Sequence, residues 1–275
     1  MTSLAQTISQ TSVRPGTVLA WWLSGTGFIF KTSAGTQLYV DPYFTDCVSQ
    51  IFGAHRAVPA PVSVEEAQPD LVIATHYHED HLDPEGIPIL ARHSQAHFLM
   101  PPSCQSRMLG WMVPRERITP ITQGQTHTFR DISITAVPAR HNPNSPGWEV
   151  PDAIGLLIET EGLRIYHTGD TEYDLRLRAL AYDQDHPIDV LMAVINGAGG
   201  NMNAHEAALL AWQLRPQILL PMHHLLWKDF DSGPQGTLDP NLFAETYHRL
   251  GGTGRVVLPV VGEAIELKVD RRRNE

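Results

Sequence analysis

The chain has 275 residues, 42% of them hydrophobic and 18% charged, with a formal net charge of -10. This balance suits one large layered domain with a sizeable core, and it excludes a mainly disordered chain and a broad nucleic-acid surface. No apolar run reaches the roughly 18 residues that span a bilayer, the N-terminus lacks a basic start and an apolar stretch, and the two cysteines, Cys47 and Cys104, build no disulfide framework. A cytoplasmic protein without a membrane partner is therefore expected. A homo-oligomer is compatible with the composition. Histidine is the outlier, with 14 residues.

Residues 1–15 read as a loose arm that ends at Pro15-Gly16, ahead of a single domain that occupies the rest of the chain. Residues 18–23 form a buried strand, Gly25-Thr26-Gly27 a turn, and residues 28–30 the returning strand. Residues 37–40 form a further strand that runs into Asp41-Pro42. Residues 71–74 are continuously apolar, as in a strand buried on both faces. A helix is expected over residues 84–92, with Pro84 in its first turn. A strand at 97–100, a helix at 103–111 and a strand at 132–137 follow. Residues 154–159 and 163–166 pair around the Glu161-Gly162 turn, and residues 142–151 are a surface loop. Residues 190–195 form another buried strand. The clearest helix covers 203–214, with Asn203 as its cap, Glu206 three residues later, and Pro216 as its stop. A strand at 218–220, a helix at 240–250 and two strands at 256–261 and 264–269 close the chain. Arg271, Arg272 and Arg273 read as a solvated tail. Strand meanders and strand–helix units thus occur in both halves, which suits an α/β sandwich of two mixed sheets with helices outside.

The chemistry concentrates in Thr75-His76-Tyr77-His78-Glu79-Asp80-His81-Leu82-Asp83, which directly follows a buried strand. In an extended loop His76 and His78 point to the same side, because their spacing is two. A tight turn afterwards lets Asp80 and His81 face a second point nearby. Three imidazoles and a carboxylate within six residues offer nitrogen and oxygen donors for a divalent ion. Further donors stand where later strands run out: His141, Asp170, and the adjacent pair His223 and His224. Together they supply enough ligands for two metals.

The segment, with its later His, Gly-Asp and final His, resembles the metallo-β-lactamase superfamily. Much of the chain is similar to the L-ascorbate-6-phosphate lactonase branch of that family. The similar stretches are residues 14–44 (RPGTVLAWWLSGTGFIFKTSAGTQLYVDPYF), 69–83 (PDLVIATHYHEDHLD), 109–118 (LGWMVPRERI), 165–170 (IYHTGD) and 219–230 (LLPMHHLLWKDF). The resemblance implies a four-layer αβ/βα sandwich with the metals at one edge between the sheets. It implies that His76, His78 and His141 hold one ion, that Asp80, His81 and His223 hold the other, and that Asp170 bridges. His223 rather than His224 occupies the third place in Pro-x-His. The chain departs from the lactonases in being compact near residues 53–69 and 142–151, which bears on the substrate rather than on the metal chemistry.

Two divalent ions, two carboxylates and a hydroxide leave such a site locally positive, so it should favour a small anionic substrate. Hydroxide generated at the metals would attack a lactone carbonyl, with a phosphodiester as the alternative substrate and a non-catalytic metal-binding protein as the alternative class. Asp80 and Asp170 are the catalytic candidates. Arg140, Lys228 and Asn201 are the candidate substrate contacts, and His167 is expected beside the site. The donors suit manganese or zinc, and also iron.

Overall fold

The computed structural model describes residues 2–183, 186–228 and 239–269. Among them the chain forms two seven-stranded sheets. The first is built from β1 (Val18–Trp22), β2 (Phe28–Lys31), β3 (Gln37–Val40), β4 (Leu71–Ile73), β5 (His97–Met100) and β6 (Ile118–Pro120), with β14 (Ala264–Leu267) returning beside β1. The second runs from β7 (Thr126–Phe129) through β8 (Ile132–Pro138), β9 (Ile154–Thr160), β10 (Leu163–His167), β11 (Val190–Val194) and β12 (Ile218–Met222) to β13 (Arg255–Val256). Each sheet begins as an antiparallel meander and continues as parallel strands.

Alternation along the strands sorts side chains between layers. In β1, Ala20 and Trp22 face the core shared with the second sheet, whereas Trp21 faces the helices on the other side. Those helices are α1 (Leu4–Gln10), α3 (Gly86–His93) and α4 (Pro102–Gly110), which share their apolar cluster with the outer face of the first sheet. On the far side, α5 (Ala204–Leu214) and α6 (Pro240–Arg249) cover the second sheet. The order is helix, sheet, sheet, helix, which is the expected α/β sandwich. Strand β11 is buried along its whole length, because it is central in its sheet and covered on both faces. Helix α5 starts as the sequence implies: Asn203 accepts from the backbone of His205 and Glu206, and Glu206 reaches back to the Asn203 N–H.

Several expectations need correction. The N-terminal stretch is not a loose arm over its whole length, since residues 4–10 are helix α1. Ser3 and Gln6 form a reciprocal capping box, and Ala5 and Ile8 are buried against the first sheet. The Lys31 ammonium then donates to the carbonyls of Ile8 and Ser9 at the helix end, both at 2.7 Å. The strand expected over residues 256–261 pairs with β12 only at its start. Pro259 lacks a donor, and the chain there crosses to the first sheet, where Val261 bridges to Trp22. Helix α2 (Cys47–Phe52) and strands β6 and β7 had no strong sequence pattern. The Arg271 to Arg273 run lies outside the described residues.

Candidate metal centre

The donors gather where strands of both sheets end. β4 delivers His76 and the following turn, in which the His81 and Leu82 amides bond back to the His78 carbonyl. β8 leads to His141, β10 to Asp170, and β12 to His223. His223 adopts a left-handed backbone (φ 62°), and its N–H donates to the Gly25 carbonyl at 2.7 Å. This turn sends His223 into the cluster. The next side chain, His224, goes into the core instead, with its ring 4.7 Å from that of Trp22.

Two pockets share one wall. In the first, His78 Nδ1 lies 3.0 Å from both His76 Nε2 and His141 Nε2. In the second, His81 Nε2 lies 3.5 Å from Asp80 Oδ2, and His223 Nε2 lies 3.7 Å from the same oxygen. Asp170 Oδ2 stands between them, 3.7 Å from His141 Nε2, 3.5 Å from His81 Nε2 and 3.2 Å from His223 Nε2. The three donor groups His76–His78–His141, His76–His81–Asp170 and Asp80–His81–His223 each fit within 4.8 Å.

The protonation pattern matches this split. Burial, reinforced by neighbouring imidazoles, holds His76 well below the ordinary histidine value. Burial likewise lowers His78, and it takes His141 to about 4. These three are neutral imidazoles, the form that binds metal. For His81 and His223 burial acts the same way, but Asp80 and Asp170 outweigh it and raise both. Burial pushes the Asp170 carboxyl up, but His223 and His81 overcome it and hold the group well below the carboxylate range.

The donor set fits a divalent ion. Two ring nitrogens 3.0 Å from the one His78 Nδ1 cannot both make a well-directed hydrogen bond with its single N–H or single lone pair, whereas one ion can take a lone pair from each of the three. A tetrahedral ion with bonds of about 2.0–2.1 Å would separate its nitrogen ligands by about 3.3 Å, close to the observed spacing. His81 Nε2 and Asp170 Oδ1 are buried and make no hydrogen bond, which is costly unless a ligand satisfies them.

Supporting contacts hold these donors. Asp41, fully buried at the end of β3, accepts from the Thr75 N–H (2.7 Å), the Thr75 hydroxyl (2.8 Å) and the Thr26 hydroxyl (3.1 Å). It also lies 2.9 Å from His81 Nδ1, which leaves His81 Nε2 to face the cluster. Sequence reading missed Asp41 as a functional residue. Its place directly after β3 is the sequence signal for it. The Asn201 amide donates to Asp170 Oδ2 at 2.7 Å, and Asn196 Nδ2 lies 3.4 Å from His223 Nδ1. His167 is buried beside the site, with Nε2 2.9 Å from the Thr26 carbonyl. Arg140 is not a free cation: its guanidinium pairs with Glu172 at 2.8 Å. Lys228 is exposed, and its N–H donates to the His55 carbonyl. His205 is outside the cluster, bonded to Thr246.

Fold and donor set together define a metal-dependent hydrolase of the two-sheet sandwich type. Residues 21–223 match the family model described as the beta-lactamase superfamily domain, and the chain belongs to that family. A protein of Escherichia fergusonii named "Probable L-ascorbate-6-phosphate lactonase UlaG" is 27% identical over 273 residues, covering 84% of this chain and 76% of the relative. Its counterpart in Salmonella paratyphi B is 26% identical with the same coverage. Among solved structures, Igni18, a metallo hydrolase from the archaeon Ignicoccus hospitalis, matches with a TM-score of 0.71 and 21% identity, covering 92% of this chain and all of that one. That likeness shows the fold. No helix among the described residues is long and apolar enough to cross a membrane.

Proposed function

We propose that the protein opens the ring of a small anionic lactone at a dinuclear metal centre, in a cytoplasmic setting. The observation that carries the proposal is the convergence of seven donors in two adjoining pockets. His76, His78 and His141 would hold one ion, Asp80, His81 and His223 the other, and Asp170 would serve both. Manganese and zinc both suit these nitrogen and oxygen donors, as does iron. Bound divalent ions supply a water of lowered pKa and a Lewis acid for the carbonyl.

The chain's own residues do the rest. Asp80 keeps its side chain partly open to the cleft and reaches both His81 and His223, so it can take a proton from attacking water and return it to the leaving alkoxide. Asn201 holds the Asp170 carboxylate in one orientation. An anionic group on the substrate would meet Lys228 at the rim, and Arg140 only in competition with Glu172. The lactonase relatives, whose name specifies a phosphorylated substrate, support a small phosphorylated lactone here.

The test is metal analysis of the purified protein, joined to assays with matched phosphorylated and neutral lactones and with phosphodiesters. Lactone turnover that is abolished by chelator and restored by metal is expected, as is its loss in Asp170→Ala and His76→Ala with the fold kept. Turnover of phosphodiesters alone would refute the lactonase reading, and full activity after metal removal would refute the metal role.

A further inference from the structure

We infer that Phe52 and Trp148 form an aromatic wall beside the donors that receives an apolar, planar face of the substrate. Phe52 is 48% exposed and Trp148 47% exposed, although both are large aromatics. Their ring centroids are 5.2 Å apart at an angle of 50°, and the Trp148 ring is 5.8 Å from that of His78. The wall therefore borders the first pocket directly. Half-exposed aromatic surface next to a hydrolytic centre gains by shedding water onto a matching apolar or π face.

The wall is held in place before any ligand arrives. The Trp148 backbone N–H donates to the Ser145 carbonyl at 2.8 Å, and His141 bridges to Val150 across the loop. The Tyr77 hydroxyl donates to the Glu149 carbonyl at 2.6 Å, and Arg107 lies over the Tyr77 ring at 4.4 Å. On the other side, α2 ends at Phe52, and Cys47 and Val48 anchor it in a cluster with Tyr43 and Leu226. Two of the guanidinium groups nearby are already paired: Arg107 with Glu79 at 3.3 Å and Arg140 with Glu172 at 2.8 Å. The aromatic wall thus adds apolar recognition on a side of the site where Arg107 and Arg140 are already paired. A substrate with an aryl-fused or otherwise planar ring fits this rim.

The inference rests on the lactonase reading for the identity of the site, and binding and turnover test the two separately. The metal-loaded protein would be titrated by calorimetry with the ring-opened acids of dihydrocoumarin and of δ-valerolactone, whose carboxylate and hydroxyl are equally spaced. The two acids share a carboxylate and a hydroxyl, and they differ in the aryl ring. Wild type is expected to bind the aryl acid about three- to tenfold more tightly, the range that one aromatic contact supplies. Trp148→Ala and Phe52→Ala should each erode that preference, Trp148→Phe should keep most of it, and Trp212→Ala, on exposed α5 surface, should leave it whole. Equal affinity for the two acids in wild type, or a preference that survives the Trp148→Ala/Phe52→Ala double variant, overturns the wall. Hydrolysis of the parent lactones is read alongside. A preference on a protein that opens neither lactone keeps the wall and removes the lactonase reading. Hydrolysis of both without an aryl preference does the reverse.

Discussion

Asp41 is the residue whose replacement separates geometry from charge most cleanly. Its carboxylate is fully buried and serves four neighbours: the Thr75 N–H, the Thr75 and Thr26 hydroxyls, and His81 Nδ1. Asp41→Ala removes the shared acceptor; the Thr75 N–H loses its partner outright, while the Thr26 hydroxyl keeps His81 Nδ1 at 3.0 Å and the Thr75 hydroxyl keeps His76 Nδ1 at 3.1 Å. Removing one partner from a buried charged network costs about 3–5 kcal/mol. At about 2–4 °C per kcal/mol for a large domain, the melting temperature should fall by roughly 10 °C. The alanine would also sit at φ 44°, a left-handed conformation that asparagine tolerates better. Asp41→Asn is therefore the sharper probe. It keeps one acceptor oxygen for Thr75 but turns an amide toward His81 Nδ1. The His81 proton then moves to Nε2, the atom that faces Asp80 and Asp170. Metal affinity should drop about 10- to 100-fold, with a smaller loss of stability than for alanine. Metal content after dialysis against a buffered chelator, paired with a thermal melt, reads both effects. Wild-type metal affinity in Asp41→Asn, or a loss below about 1 kcal/mol in Asp41→Ala, would refute the argument that this carboxylate sets the His81 tautomer.

Three further outcomes are expected. His223→Ala should abolish activity and metal binding at the Asp80–His81 side and also cost stability through the stranded Asp170, whereas His224→Ala should keep metal binding and lower the melting temperature, because its buried ring packs on Trp22; similar losses of metal in the two variants would contradict the assignment. Glu161 accepts from the Ser33 hydroxyl and N–H and from the Gly16 N–H, and although burial works against it these bonds hold its carboxyl below the ordinary 4.5. Because the folded value is the lower one, its contribution is present above the unfolded value and is lost as pH falls below about 4.5; Glu161→Gln should flatten urea midpoints over that acid range relative to wild type, and unchanged pH curves would count against the contact. Lys31→Met should release α1 by removing the two bonds to Ile8 and Ser9, at about 1–3 kcal/mol; faster hydrogen exchange confined to residues 4–10 is the expected signature, and wild-type protection there would contradict it.

Much of the site was legible because its donors are local in sequence or punctuate strand ends. His76, His78, Asp80 and His81 fall within six residues after β4, and period-two spacing already places His76 and His78 on one side. Strands with continuous apolar runs, such as β4 and β11, and the capped helix α5 were visible for the same reason, since their determinants lie within a few residues. The N-terminal helix was not visible. Its capping box is local, but its seven residues become stable only when Ile8 finds the first sheet and Lys31, 23 positions away, closes its end. Likewise no local pattern shows that Arg140 is claimed by Glu172, that Asp41 reaches across 40 positions to His81, or that Trp148 stands over His78. The choice of His223 over His224 also came from resemblance rather than spacing. In the structure the left-handed turn at His223 and its bond to Gly25, on the opposite sheet, bring the His223 ring beside Asp80 and Asp170 and leave the His224 ring on Trp22. Local chemistry thus supplied the donors, and long-range packing decided which side chains meet and which cations remain free, because both depend on contacts between segments far apart in the chain.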